Sequence, residues 1–286
     1  MRWLVPLSLF ACLLACGSPA VSLGQTIAPT RQRHPWARFE PGAWKLVRVV
    51  TETFDEQGAL ANTSTTETKT TLKKVDDDGV TLLVETVVEI GGKRLDAEPQ
   101  TIKQGLHGQP AGRSAKIKDA GTAKVTIEGR EYPCRIEEVE STASNTKTLT
   151  KTYYSAAVAP YALRQESITT DLQTGATVGE TEWHVASLSM PCRILREIRR
   201  AAQVRSVYRH AKGTTTTSSL TSIGVPGGIV CHTARELDGN GRLVRRSSLE
   251  LVAYGVEPDD GRWGLWRRGR SGHRHRSAHY SPSYEE

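Results

Sequence analysis

Residues that could do chemistry in this chain are few and widely spaced. Cys231-His232 puts a thiol beside an imidazole, the types that make a nucleophile and its base. Neighbours on a strand leave opposite faces, however, so the spacing predicts no thiolate–imidazole couple. Asp76-Asp77-Asp78-Gly79 sets three carboxylates in a row, but a calcium loop needs alternate positions and a distal Glu. A hairpin turn accounts for them. His273, His275 and His279 could capture a transition metal weakly, and the arginines interleaved with them oppose a dication. The chain has no nucleophile elbow, phosphate-cradling Walker loop, HExxH helix or dinucleotide fingerprint. The reading is a protein without catalytic residues, metal or cofactor.

Of the five cysteines, Cys12 and Cys16 fall in an N-terminal apolar segment. Cys134, Cys192 and Cys231 remain, and in an oxidising compartment three thiols allow one bridge and one leftover, with three pairings open. No CxxC or Cys/His spacing points to zinc.

The compartment is read from the first two dozen residues. Arg2 precedes an apolar run from Trp3 to Ala15, broken only by Pro6 and Ser8. That run is short for a membrane span and reads as an export signal, residues 1–24. It ends Leu13-Leu14-Ala15-Cys16-Gly17, which resembles a bacterial lipobox with Cys16 as the lipidated residue and the signal ending at 15. Cleavage after Ala20 or Gly24 is the alternative. The expectation is an exported protein, periplasmic or tethered to a membrane as a lipoprotein.

Within the 286 residues, hydrophobic content is 37% and aromatic content 6%, with three Phe and two Met. Thin sheets with one wetted face suit that composition better than a helical core. Residues 25–35 read as a tether. Residues 36–103 read as a β meander, its clearest strand being Val80 to Ile90, where Val, Leu and Ile alternate with Thr and Glu. Asp78-Gly79 and Gly91-Gly92 flank it with hairpin chemistry. Residues 104–120, rich in Gly, Pro and Lys, read as a linker.

Residues 121–256 read as a β region with a weak internal duplication, 121–188 and 189–256. Tyr132-Pro133-Cys134-Arg135-Ile136 is echoed by Met190-Pro191-Cys192-Arg193-Ile194, and Val158-Ala159-Pro160-Tyr161 by Val225-Pro226-Gly227-Gly228. Arg193 to His210 carries Ile194, Leu195, Ile198, Ala201, Ala202 and Val204 at roughly helical spacing, and a short covering helix is favoured there over a strand. The fold class expected is mainly β: antiparallel curved sheets of meander type, as two related units or one extended sheet, with a short covering helix.

The net charge of +7 is concentrated in two places. One is the stretch with Arg193, Arg196, Arg199, Arg200, Arg205, Arg209 and Lys212. The other is a tail, residues 257–286, read as disordered for want of apolar periodicity. In that tail Arg262, Trp263, Trp266, Arg267, Arg268 and Arg270 could adhere to anionic lipid headgroups or an acidic envelope polymer. Export disfavours nucleic acid as the partner.

The lipobox-like end, Gly42-Ala43-Trp44, the two Pro-Cys-Arg segments and Val225 to Val230 together resemble uncharacterised exported bacterial proteins. Those are similar in pattern to the lipoprotein-carrier (LolA/LolB-like) half-barrel superfamily, over about residues 36 to 256. The resemblance implies a curved antiparallel sheet with helices over its concave face and non-covalent binding of lipid-like ligands. No binding residue is carried over from it. Two functions stand: a non-catalytic structural or interaction module of the cell envelope, meeting an envelope protein, lipid or acidic polymer, and a carrier with a lipid-like ligand in a concave sheet. Trp36, Phe39, Trp44 and Trp183 are expected to plug sheet faces or line such a groove.

Overall fold

The computed structural model describes residues 30–107, 115–143 and 145–257. Fourteen strands and one helical turn, α1 (Thr30–Arg33), make up the regular structure of those residues. The first five strands are β1 (Trp44–Phe54), β2 (Leu60–Val75), β3 (Val80–Ile90), β4 (Lys93–Asp96) and β5 (Gln100–Gln104). Then come β6 (Ala115–Ile127), β7 (Arg130–Ala143), β8 (Thr146–Tyr154), β9 (Ala162–Asp171) and β10 (Thr177–Ile194). The chain ends with β11 (Glu197–His210), β12 (Gly213–Thr221), β13 (Ile229–Asp238) and β14 (Leu243–Gly255). Thr and Val dominate these segments, and a β-branched side chain fits a pleated, half-buried surface.

All fourteen strands belong to one antiparallel sheet that does not close. β4 and β5 share one edge beside β3, and the order runs through β2 and β1 to β14, then back in meander to β6 at the other edge. The first and last strands are therefore neighbours in its middle, paired from Trp44↔Gly255 to Thr53↔Arg245. The sheet also curls. Ile127 of β6 and Val185 of β10 share one buried cluster with Cys134, Leu163 and Ala202, although three strands separate β6 from β10 in the ladder. The face they share is concave.

The mainly β, antiparallel, meander class expected from the sequence is what the chain adopts. The duplication is present, with a different alignment. Adding 67 to the bounds of β7, β8 and β9 gives those of β11, β12 and β13. The loops between hairpins match at the same offset: Ser155 N donates to Tyr161 O and Ser222 N to Gly228 O, at 2.7 and 2.8 Å. Tyr161 N donates to Val158 O as Gly228 N does to Val225 O. Glu128 and Leu195, both at positive φ (50° and 56°), turn equivalent hairpins. The Val158 and Val225 segments thus correspond. The Pro-Cys-Arg echo does not, because Cys134 lies on β7, after a hairpin turn, whereas Cys192 lies on β10, before one.

Three further expectations change. Arg193 to His210 is not a helix: it is the end of β10, a turn, and β11, with Arg193↔Ile198 and Val185↔Val204 paired across the ladder. The turn at Leu195 resets the period-two pattern, and that interruption mimics helical spacing. Two irregularities in β10, at Ser187, bend the hairpin end back on the sheet, so Cys192, Ile194 and Ala201 pack with Val225 and Val230. The stretch read as a linker is strand from Ala115 onward. The last residues of the presumed tether are docked on the sheet, with His34 buried at 4% exposure. Residues 1–29 and 258–286 lie outside the described residues, and with them the signal, Cys16 and the tail.

The core is thin, divided among three small clusters. Leu163, 0% exposed at the start of β9, anchors the curled half. Leu163→Ala should cost about 2–5 kcal/mol of unfolding free energy. Urea titration checks this, and a loss below about 1 kcal/mol would show that the curl does not rest on that cluster.

Candidate functional site

Residues 34–43 run as a strap over the concave face, and local hydrogen bonds shape it. His34 Nδ1 accepts from Trp36 N and Ala37 N at 3.2 and 3.1 Å. Trp36 and Ala37 then bury against Leu72, Val80 and Leu82 of β2 and β3. At the other side Arg33 Nη1 donates to Glu137 Oε1 at 2.7 Å, and its guanidinium lies 4.2 Å from the Tyr154 ring centroid. His107 Nδ1 sits 3.4 Å from Glu137 Oε2. The strap therefore ties β2–β3 to β7–β8 across the curl.

Both equivalent loops meet the strap. Gly227 N donates to Pro35 O at 3.1 Å. A Cβ on Gly227 would stand 2.7 Å from Lys45 Nζ and 2.8 Å from Trp36 Nε1, so glycine is needed for the approach as well as for its φ of 72°. From the other loop, the Tyr161 ring centroid lies 5.9 Å from the Arg38 guanidinium. Arg38 also donates to the carbonyls of His34 and Arg33, at 3.3 and 3.2 Å.

Between strap, loops and sheet lies a cavity of about 420 Å³. Register puts Trp183, Val204, Ser206, Thr217, Ser219 and His232 on its sheet wall, through the pairs Trp183↔Ser206, Val204↔Ser219, Ser206↔Thr217 and Ser219↔His232. The serine and threonine side chains are small enough to leave the space. Ser219 Oγ and Thr221 Oγ1 donate to the carbonyls of Val204 and Ala202, both at 3.4 Å, which turns the hydroxyls away and leaves an apolar wall. The Trp183 indole N–H is occupied by Gln165 Oε1. The same face continues past Thr217 to a second cavity of about 150 Å³, where Arg245 and Glu236 pair at 2.5 Å. The site is a trough: apolar in its larger part, cationic at the strap, with an ion pair lining the smaller cavity farther along the face.

Burial sets the protonation of this site. The His34 imidazole falls to about 4, first through burial and then through the nearby Arg38 charge. Burial also lowers His232 and brings the Lys45 ammonium to about 8. It would raise the Glu137 carboxyl, but hydrogen bonds from His107 and Arg33 hold that group below the usual range.

Trp183 lines the trough, as one alternative for the tryptophans foresaw, while Trp36 and Phe39 join the strap's packing on β2 and β3. The three cysteines are free thiols. Cys192 and Cys231 interact, and burial with that neighbour raises the Cys192 thiol. Cys134 belongs to a different cluster. His232 faces the trough and Cys231 the opposite side, the alternation that argued against a catalytic couple. Arg33, Pro35 and Arg38 were missed, because they fall in or beside a stretch that reads as tether. Arg33 and Arg38 bracketing a His-Pro-Trp run was the available signal. Arg262, Trp263, Trp266, Arg267, Arg268 and Arg270 lie outside the described residues. Among the described residues no group of three or more metal-ligating side chains converges.

No family model and no curated protein matches the chain. A crystal structure from Bacteroides fragilis NCTC 9343, described as a "putative exported protein with YmcC-like fold", aligns with 76% of this chain and 97% of its own length, at 8% identity and a TM-score of 0.31. A likeness that low carries no argument about this protein. Nothing in these comparisons links the chain to the lipoprotein carriers.

Two measurements follow. Between pH 6.5 and 4 the open chain binds a proton at His34 that the docked strap excludes, so docking weakens as pH falls, by on the order of 3 kcal/mol at completion. Glu137 acts in the same direction, since its depressed carboxyl stabilises the docked state only while ionised. The protection factors of the Trp36 and Ala37 amides, corrected for the intrinsic slowing of exchange in acid, should be high at pH 7 and fall by on the order of a hundredfold near pH 4; an unchanged protection factor would contradict docking through neutral His34. Under mild oxidation, non-reducing peptide mapping should find Cys192 joined to Cys231 and Cys134 as thiol. A bridge to Cys134 would contradict the placement of these clusters.

Proposed function

We propose that this protein is a non-catalytic binding module that holds a small apolar or amphipathic molecule in the trough beneath its strap. The observation behind this reading is the roughly 420 Å³ cavity on the concave face, within the 300–1,000 Å³ typical of small-molecule sites. Its walls are largely apolar, two of their hydroxyls, on Ser219 and Thr221, being turned to backbone carbonyls, and no packed side chain fills it. Of the two functions the sequence leaves open, a filled sheet would favour the interaction module and an unfilled groove favours ligand binding. The export-like reading of the N-terminal segment supports a setting in the cell envelope, as a carrier or receptor for a lipid-like molecule.

The test uses N-phenyl-1-naphthylamine, an uncharged fluorophore that brightens in apolar surroundings. The protein should bind it with saturable enhancement. Ser219→Phe, which fills the trough between Val204 and His232, should weaken binding by on the order of tenfold or more, at a stability cost of about 1–3 kcal/mol. Unchanged binding by a folded Ser219→Phe protein would remove the trough as the site.

A further inference from the structure

Three cationic or potentially cationic side chains line the larger cavity of the trough, and they are not equivalent. Arg33 is committed to Glu137 at 2.7 Å. Burial works against the charged form of His232. Arg38 is different: among the described residues no carboxylate pairs with it, and its hydrogen bonds go to the backbone carbonyls of Arg33 and His34. It is partly withdrawn from water at the strap end of the cavity, where burial works against its charge. A guanidinium drawn from water without a counter-charge is costly, and a planar, two-pronged donor set suits a carboxylate or phosphate.

A second observation points to the same residue. Tyr161, whose ring lies 5.9 Å from the Arg38 guanidinium, is held at φ 70°. Its equivalent in the other loop, at nearly the same φ of 77°, is Gly228. An L side chain there costs on the order of 1–2 kcal/mol relative to glycine. One loop takes the unstrained residue; the other keeps a strained aromatic beneath Arg38. Backbone strain of this kind accumulates where a side chain has a task, and here the ring braces the guanidinium at the mouth of the cavity.

We infer that the trough takes a single-chain amphiphile with an anionic head, the head on Arg38 and the chain lying along Val204, Ser219 and His232. This rests on the ligand-binding reading of the trough and adds the polarity and orientation of the ligand. The far end fits that orientation: Arg245 and Glu236 already neutralise each other there, so the strap end alone offers an unmatched charge. Carboxylate and phosphate heads share the chemistry Arg38 recognises, and a fatty acid and an alkyl phosphate represent the two sources.

The experiment is isothermal titration of the full folded chain, below micelle concentrations, with dodecanoate, dodecyl phosphate and dodecanol. One or both anions should bind at least about tenfold tighter than the alcohol, as a charge-assisted hydrogen bond contributes, and the tighter anion names the head. Arg38→Gln should abolish the preference of the anions over the alcohol, with Arg38→Lys retaining part of it. The wild-type ratio alone tests the inference should Arg38→Gln fail to fold. Equal binding of alcohol and anions, or a preference that survives in folded Arg38→Gln, overturns the anionic head while leaving the trough as a site. Binding of none of the three overturns both readings.

Discussion

Everything in this structure hangs on one continuous antiparallel ladder, because there is too little apolar material to hold the chain by a core alone. The buried clusters are small, and the largest fully buried side chains are Leu72, Leu163, Val225, Pro226 and Ser155. Cooperative order must come from backbone pairing carried across every strand, with the β1–β14 pair joining the N-terminal meander to the rest. Every strand but those at the edges, β4, β5 and β6, is paired on both sides, so its polar backbone groups are satisfied without large side chains. Cross-strand hydroxyl pairs such as Thr148–Thr169 and Thr150–Ser167 and opposite-charge pairs such as Arg48–Glu67 supply modest increments along its faces.

The trough is a consequence of that economy. A sheet that curls needs either bulky side chains or a covering element on its concave face. Here bulky side chains cluster between β6 and β10, while β11 to β13 carry Ser, Thr and Ala on this face, and the cover there is a ten-residue strap. The strap docks on β2 and β3 through Trp36, Ala37 and Phe39, and the Arg33–Glu137 pair just before it ties the same stretch to β7. Space remains under it, and the two equivalent loops, at Tyr161 and Gly228, close the sides. Duplication built the pair of loops; divergence at Tyr161 against Gly228 made their ends chemically unlike. An internal repeat thus becomes a site with two different walls.

The strands were legible because their physics is local. Val80 to Ile90 keeps a period of two on one face, from Val80, Leu82 and Val84 to Val88 and Ile90, and Asp-Gly and Gly-Gly turns bound it; both features operate within a dozen residues. Where the local signal was broken, at the Leu195 turn, the sequence resembled a helix, and only the partner strands show that it is a hairpin. The duplication was visible through Val158 and Val225, while the repeated Pro-Cys-Arg misled, since a three-residue match carries no information about which side of a turn it occupies. Trp183 was a fair suspect as a wide aromatic in a thin sheet. Arg38 was not, because a solvated arginine and a desolvated one read identically in a sequence.

The amino-acid order by itself determined the β class, the meander, most turn positions and the absence of recognisable catalytic motifs. These follow from period, β-branching and glycine, which act between near neighbours. Tertiary structure alone decided that the sheet curls, that residues 34–43 cross it as a strap, and that Arg38 faces a cavity without a counter-charge. Those facts depend on groups as far apart as Arg33 and Glu137, or Trp36 and Gly227, whose proximity no local pattern encodes.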